Sequence, residues 1–288
     1  MISGLINFLK PPGMTSHDVV SFIRRTYGLK KVGHAGTLDP AAAGVLPVAL
    51  GQATRLLEYM TDTNKTYRVE LTFGYETDTG DEAGQIIQTS TVRPKKAAME
   101  ACLSTFVGTI EQVPPMYSAI KVDGKKLYDL ARQGISIDVK ARQIMIESIE
   151  LLTTTENKIL FDVTCSKGTY IRTLCLDISH RLGTYGTMTF LLRTQVGDFR
   201  IDQAATAEEI QKEPDKWLLP IEYAVRSLPR MHVNCEQSDH FLHGRSFSTL
   251  LTHGEIYSVF DEQESLLGIG KVADSGLIIS PVKVIAVS

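Results

Sequence analysis

The chain is 288 residues long, 43% apolar, and carries a net charge of −3. Such a chain can bury one large core, or a large and a small one, which excludes global disorder. No apolar run reaches the ~20 residues of a membrane helix, and the run over 2–9 ends at Lys10-Pro11-Pro12, too early for a signal peptide, so a cytoplasmic protein without membrane contact is expected.

Thr15-Ser16-His17-Asp18 reads as a capping box that opens a helix through Tyr27, with Val19, Val20, Phe22 and Ile23 inward. Residues 52–60 predict a short helix burying Leu56, Leu57 and Met60. Tyr67, Val69, Leu71, Phe73 and Tyr75 alternate with polar residues, the pattern of a half-buried strand. A Gly/Asp turn region covers Thr77–Gly84. Pro94 opens a helix over 94–107 that Gly108 stops, and a shorter helix over 125–133 is closed by Gly134. Ile144, Ile146 and Ile149 begin a strand; Ile159, Phe161, Val163 and Cys165 continue the pattern after a turn. Gly168 leads into a helix with Ile171, Leu174, Ile178 and Leu182 on one face. After Leu192 the pattern loosens, residues 213–229 read as a proline-punctuated connection, and strand-like runs follow at 256–260, 266–272 and 277–286. Helices interrupt strands without a βαβ period, so an α+β fold with a mixed, largely antiparallel sheet is expected, followed by a small β-rich domain.

Cys102, Cys165, Cys175 and Cys235 lack metal or disulfide spacing and read as reduced thiols. Residues 201–288 carry a net −6 and residues 1–200 a net +3. The basic surplus includes Arg24, Arg25, Lys30 and Lys31, just before the most unusual stretch of the chain. These are either a solvated helix end or part of an electrostatic footprint for phosphates.

That stretch, residues 33–55, holds a single acid, Asp39, among Gly33, Gly36, Gly44 and Gly51. A loop so poor in side chains lets a large substrate approach the backbone. An Asp-Pro step also starts ordinary turns, but four glycines exceed what one turn requires. Arg172 falls at a predicted helix start, where a cation is disfavoured by roughly 0.3–1 kcal/mol. A carboxylate partner would offset that, and the cation would favour its charged form; any nearby acid could serve. Tyr67 is either a core residue or an aromatic platform for a base. His34 is either a satisfied loop histidine or a contact to a phosphate or an extruded base. No hydrolase triad motif, phosphate-binding Gly-rich loop or metal spacing is present in the sequence.

The Gly33–Arg55 stretch resembles the signature of TruB-type tRNA pseudouridine-55 synthases of the bacterial, stand-alone type. Lys10–Ser16, Lys65-Thr66-Tyr67, Gln112–Lys121, Cys165–Thr173 and Leu191–Phe199 resemble further family motifs in the same order. Ala35 and Ala41–Ala43 are small-residue variants of the usual choices there. The resemblance implies a pseudouridine synthase fold over 1–228 and a PUA-like RNA-binding domain over 229–288. It implies isomerisation of uridine-55 in the tRNA T-arm loop, a redox-neutral reaction expected to need no metal or cofactor. It assigns catalysis to Asp39 as nucleophile, Arg172 as its partner and Tyr67 stacked on the uracil. Substrate contacts are expected from Lys10, Pro11, His34, Gly36, Thr37, Leu38, Tyr170 and Leu191. Lys10, Arg24, Arg25, Lys30 and Lys31 are expected to reach phosphates. The expected partner is the tRNA T-arm stem-loop, with a monomeric enzyme and no protein partner. Three readings compete: a guide-RNA-dependent catalytic subunit, against which the short segment before Lys10 argues; an RNA chaperone; and a carboxylate hydrolase, which needs a second acid near Asp39.

Overall fold

A computed structural model describes residues 2–118, 121, 122, 124–131, 133–135, 137–251, 255–273 and 276–285. In chain order, β1 (Gly4–Lys10) leads to α1 (Ser16–Tyr27), β2 (Val32–His34), β3 (Ala43–Leu50), a 3₁₀ turn over Gly51–Leu56 and α2 (Leu57–Thr61). Next come β4 (Lys65–Phe73), the β5 (Tyr75–Thr77) and β6 (Ile86–Thr89) hairpin, α3 (Lys96–Ser104) and β7 (Gly108–Gln112). Short β8 (Lys121–Val122), β9 (Lys125–Lys126) and α4 (Leu127–Ala131) precede β10 (Arg142–Thr154), β11 (Lys158–Cys165), α5 (Ile171–Arg181) and β12 (Gly186–Val196). After β13 (Phe199–Arg200) come α6 (Ala207–Lys212) and 3₁₀ turns at Pro214–Trp217 and Ile221–Val225. The remainder forms β14 (Arg230–His232), α7 (Cys235–Leu242), β15 (Phe247–Ser248), β16 (Ile256–Phe260), β17 (Leu266–Val272) and β18 (Ile278–Val284).

The main sheet runs β1-β3-β12-β4-β11-β10-β7, with β2 on β3 and β13 on β12. All its pairs are antiparallel except β3–β12. One face of β4, β11 and β12 packs on α3 and α5, burying Val69, Leu71, Phe161, Leu174 and Ile178. This is the α+β arrangement expected, with a mixed and mostly antiparallel sheet. The capping box at Thr15 and Asp18 forms as read, and Gly28 ends α1 in the left-handed conformation.

The sequence pattern missed β1, at one end of the main sheet, and β3 and β12, which lie inside it. β3 is buried along nearly its whole length, so it shows an unbroken apolar run rather than alternation. β12 continues through Val196, so the chain does not loosen at Leu192. The helix expected over 94–107 is shorter. It starts at Lys96, ends at Ser104, and Gly108 (φ +110°) opens β7 instead of capping it. The connection over 213–229 is not loose: Leu219 pairs with Leu5 through two backbone hydrogen bonds, and Ala224 and Val225 are buried. The helix expected over 125–133 is α4; Arg132 lies outside the described residues, as do Ala119 and Ile120 of the Gln112–Lys121 motif and position 286 of the last strand-like run.

The second sheet runs β14-β16-β17-β18-β15. It has its own core around Val233, Phe241, Tyr257, Val259 and Ile279. A second apolar cluster joins it to the first sheet, with Phe260, Leu266, Ile269 and Ile285 against Leu5, Val45, Ala53, Leu56, Met60 and Val225.

Candidate active site

Asp39 sits in the loop between β2 and β3, and several ties hold that loop. The Ser16 hydroxyl, at the start of α1, receives a hydrogen bond from the Leu38 N–H at 2.9 Å and donates to the Leu38 carbonyl at 3.1 Å. The Pro40 carbonyl accepts from the Gly13 N–H at 2.8 Å and from Lys10 Nζ at 3.2 Å. Leu38 is buried in the core while the Asp39 side chain stays 38% exposed. The carboxylate is therefore presented from a rigid support to solvent.

Arg172 lies in the first turn of α5 and is buried. Its Nε meets Asp39 Oδ2 at 3.0 Å, which is the carboxylate partner that a cation at a helix start calls for. Its Nη1 donates to the Thr79 carbonyl at 3.0 Å and its Nη2 to the Tyr117 carbonyl at 2.8 Å. Asp81 Oδ2 lies 3.6 Å from the same Nε. Asp81 is the second acid that local sequence could not reveal, because it arrives from the Thr77–Gly84 turn. Its Oδ1 is occupied by the Thr79 hydroxyl at 2.6 Å and the Ala83 N–H at 3.1 Å. Asp39 Oδ1 has no hydrogen-bond partner among the described residues, so Arg172 orients the carboxylate and leaves one oxygen free.

The floor beside this pair is apolar. Tyr67 and Leu191 are both buried in the core with Leu38. Tyr67 is mostly covered: the ring is only 8% exposed, since it occupies an inward position of the alternating strand β4. Burial also pushes its hydroxyl above the usual tyrosine range, which keeps it a phenol at neutral pH. Tyr170 caps α5 and exchanges two hydrogen bonds with Gln112, whose Nε2 donates to the Tyr170 carbonyl and whose Oε1 accepts its N–H.

Lys10 requires a correction. It is fully buried, and its ammonium donates to the carbonyls of Pro11 (2.9 Å), Met14 (2.7 Å) and Pro40. It cannot reach a phosphate; it ties β1 to the Asp39 loop. Burial lowers its pKa to about 8. Pro11 and Thr37 are exposed beside it, and Gly36 is half-buried. Arg24, Arg25, Lys30 and Lys31 are exposed, but Arg24 and Arg25 lie in the last turn of the 12-residue α1 and Lys30 and Lys31 beyond it, roughly 12 Å or more along the helix from Ser16. His34 is half-buried on β2, with Nδ1 unpartnered among the described residues. Burial, aided by the Arg193 charge, holds it below the usual histidine value and hence neutral.

The glycines serve the protein itself before any substrate. A Cβ on Gly44 would lie 2.1 Å from the Arg193 carbonyl, one on Gly51 2.3 Å from that of Ile2, and one on Gly33 2.7 Å from Leu57. Sequence reasoning singled out neither Ser16, Asp81, Gln112 nor Arg193. Arg193 falls inside the Leu191–Phe199 motif, so a buried arginine in a strand was the one available signal.

The description "TruB family pseudouridylate synthase (N terminal domain)" matches residues 24–171, and "tRNA pseudouridylate synthase B C-terminal domain" matches 172–226. The tRNA pseudouridine synthase B of Alkaliphilus oremlandii is 48% identical over 253 residues, covering 87% of this chain and 85% of the relative. That of Caldanaerobacter subterraneus is 43% identical over 272 residues, covering 93% and 95%. Among solved structures, an H/ACA RNP bound to a substrate RNA containing 2′-deoxyuridine matches with a TM-score of 0.78 at 25% identity, over 99% of this chain and 85% of that one. A Cbf5-Nop10-Gar1 complex matches with the same TM-score at 27% identity, over 98% and 84%.

Proposed function

The chain belongs to the TruB family of pseudouridylate synthases, and from that premise we propose that it converts uridine-55 of the tRNA T-arm loop to pseudouridine with Asp39 as the nucleophile. It is a pseudouridine synthase, an isomerase acting on tRNA. The observation that carries the assignment of Asp39 is its pairing: Arg172 holds Oδ2 at 3.0 Å while Oδ1 has no partner among the described residues and the side chain stays partly exposed.

The reaction is balanced without an outside reagent. The N1–C1′ bond breaks, the uracil turns, C5 bonds to C1′, and the C5 proton leaves as N1 gains one. An ionised carboxylate opens this sequence by attack on C1′ of the sugar or C6 of the base, and both routes use the same free oxygen. Arg172 keeps that oxygen aimed. Leu191 and Tyr67 supply the apolar floor against which an extruded base packs, and that contact offsets a flipping cost of a few kcal/mol. His34, half-buried and neutral, packs against the displaced loop through the accessible part of its ring, since its unpartnered Nδ1 is buried. The exposed Arg24, Arg25, Lys30 and Lys31 stand in and beyond the last turn of α1, within the span of a stem's phosphate backbone. Residues 229–288 form the second, PUA-like module, and the protein acts as a monomer in the cytoplasm without a protein partner.

The hydrolase reading loses support from the environment of Asp81. Both of its oxygens are engaged, one by Thr79 and Ala83 and the other facing Arg172, so it is not a free acid or base.

Tritium release from a T-arm stem-loop carrying [5-³H]uridine tests the proposal, with wild type and Asp39→Asn compared. Release by wild type alone is expected. No release by either protein, despite tight tRNA binding, would overturn it in favour of a chaperone or guide-dependent role.

A further inference from the structure

Arg193 is the largest fully buried side chain among the described residues, at 1% exposure, and no carboxylate among them pairs with it. It lies on β12 between two strands. Antiparallel pairing sets it opposite Tyr67 on β4, and parallel pairing sets it beside Gly44 on β3. Its guanidinium reaches under the Asp39 loop. Nε donates to the Val45 carbonyl at 2.8 Å, Nη2 to that of Gly36 at 3.1 Å, and Nη1 to that of Thr37 at 3.3 Å. The fork therefore grips the backbone on both sides of the nucleophile, two and three residues before it and six after.

The neighbourhood explains why the grip is an arginine. Lys10 and Lys65 are also buried here, and the Arg193 charge adds to burial in lowering each to about 8. Three cations in one buried region cost energy unless each is fully used. Lys10 is used on Pro11, Met14 and Pro40, and Lys65 on the carbonyls of Thr61 and Thr63. A planar guanidinium can satisfy three divergent carbonyls; a single ammonium at the same place cannot satisfy all of them with that geometry. The Gly44 contact keeps the fork in reach, because a side chain there would push β3 away from Arg193.

We propose that Arg193 is a positioning residue for catalysis: by clamping the carbonyls of Gly36, Thr37 and Val45 to β12 it sets the angle at which Asp39 meets the nucleoside. This rests on Asp39 being the nucleophile of the proposed reaction. Arg193 touches no substrate, so it acts on the chemical step and not on RNA affinity. A misplacement near 1 Å at a reacting group costs on the order of 100-fold in rate.

The test uses Arg193→Lys and Arg193→Met in the full chain, with thermal melts to establish folding. Single-turnover pseudouridine formation at saturating tRNA and the tRNA Kd are measured separately. The single-turnover rate is expected to fall about 100-fold in both variants while Kd stays within about twofold of wild type. Arg193→Lys keeps the charge, so it decides the matter if Arg193→Met does not fold. A folded variant with the wild-type rate overturns the inference. So does a loss that appears in Kd alone, or failure of both variants to fold, since Arg193 would then be only a core tie. Absence of pseudouridine with the wild-type protein would instead overturn the proposed reaction, so the two failures are distinct.

Discussion

Lys10 is the one charged residue of the Lys10–Ser16 motif, yet its ammonium is spent on the Pro11, Met14 and Pro40 carbonyls. A phosphate contact and an internal tie make opposite predictions for Lys10→Met. A lost phosphate contact would lower the slope of log K against log salt by about 0.9. The internal role leaves that slope unchanged and leaves buried carbonyls unpaired, at a cost of about 1–3 kcal/mol in urea unfolding. Lys65 gives a pH dependence whose sign follows from burial. Its pKa is about 8 in the folded protein, against about 10.4 in an unfolded chain. Between those values the unfolded chain binds more protons, so stability from this group rises with pH. The stability of wild type relative to Lys65→Met should therefore rise by about 2 kcal/mol from pH 7.5 to 9.5. Cys165, which burial lifts to about 11, acts in the opposite direction in both proteins, and its coupling to the Lys65 charge is a smaller contribution than burial. A flat or falling difference would contradict the assignment.

Among the elements, legibility followed solvent exposure. Helix α1 and strands β4, β10 and β11 each have a wet side, so period and caps marked them: Thr15 and Asp18 for α1, the Tyr67–Phe73 alternation for β4. β1 and β3 are covered on both faces, which erases the alternation. Pro47, opposite Asn7 within the β1–β3 pair, removed the remaining signal because proline argues against a central strand. The Gly44 requirement is a property of the β3–β12 contact and so was invisible locally. Gly44→Ala combines a 2.1 Å approach to the Arg193 carbonyl with a φ of +119°. It should cost about 3 kcal/mol or more. Gly28→Ala, at the end of α1 with open space around it, should cost about 1–2 kcal/mol. Equal losses in urea unfolding would mean that backbone conformation, and not the strand contact, dominates at position 44.

Across the whole molecule, the C-terminal sheet is joined to the main sheet by more than a linker. Phe260, Leu266, Ile269 and Ile285 share a cluster with Leu56, Met60 and Val225. The Arg55 guanidinium donates to the Val284 carbonyl, and Lys283 pairs with Glu58 at 3.0 Å. Residues 201–288 carry the acidic surplus, so few phosphate contacts are expected from this part. Deleting 229–288 should therefore weaken tRNA binding by less than about 100-fold. It should nevertheless lower the thermal midpoint, because it uncovers the shared cluster. A larger loss of affinity with an unchanged midpoint would reverse both expectations.

The amino-acid sequence by itself determined the type of fold and the identity of the nucleophile candidate, because a lone acid among glycines, ordered motifs and local periodicity are all short-range features. It also pointed to Arg172, through the misfit of a cation at a helix start. Only the tertiary structure decided that Asp81 shares Arg172, that Lys10 faces inward, that Tyr67 is covered, and that Arg193 clamps the Asp39 loop. Each of these depends on residues tens to more than a hundred positions apart meeting in space, and burial, not residue type, then sets what a charge or a ring can do.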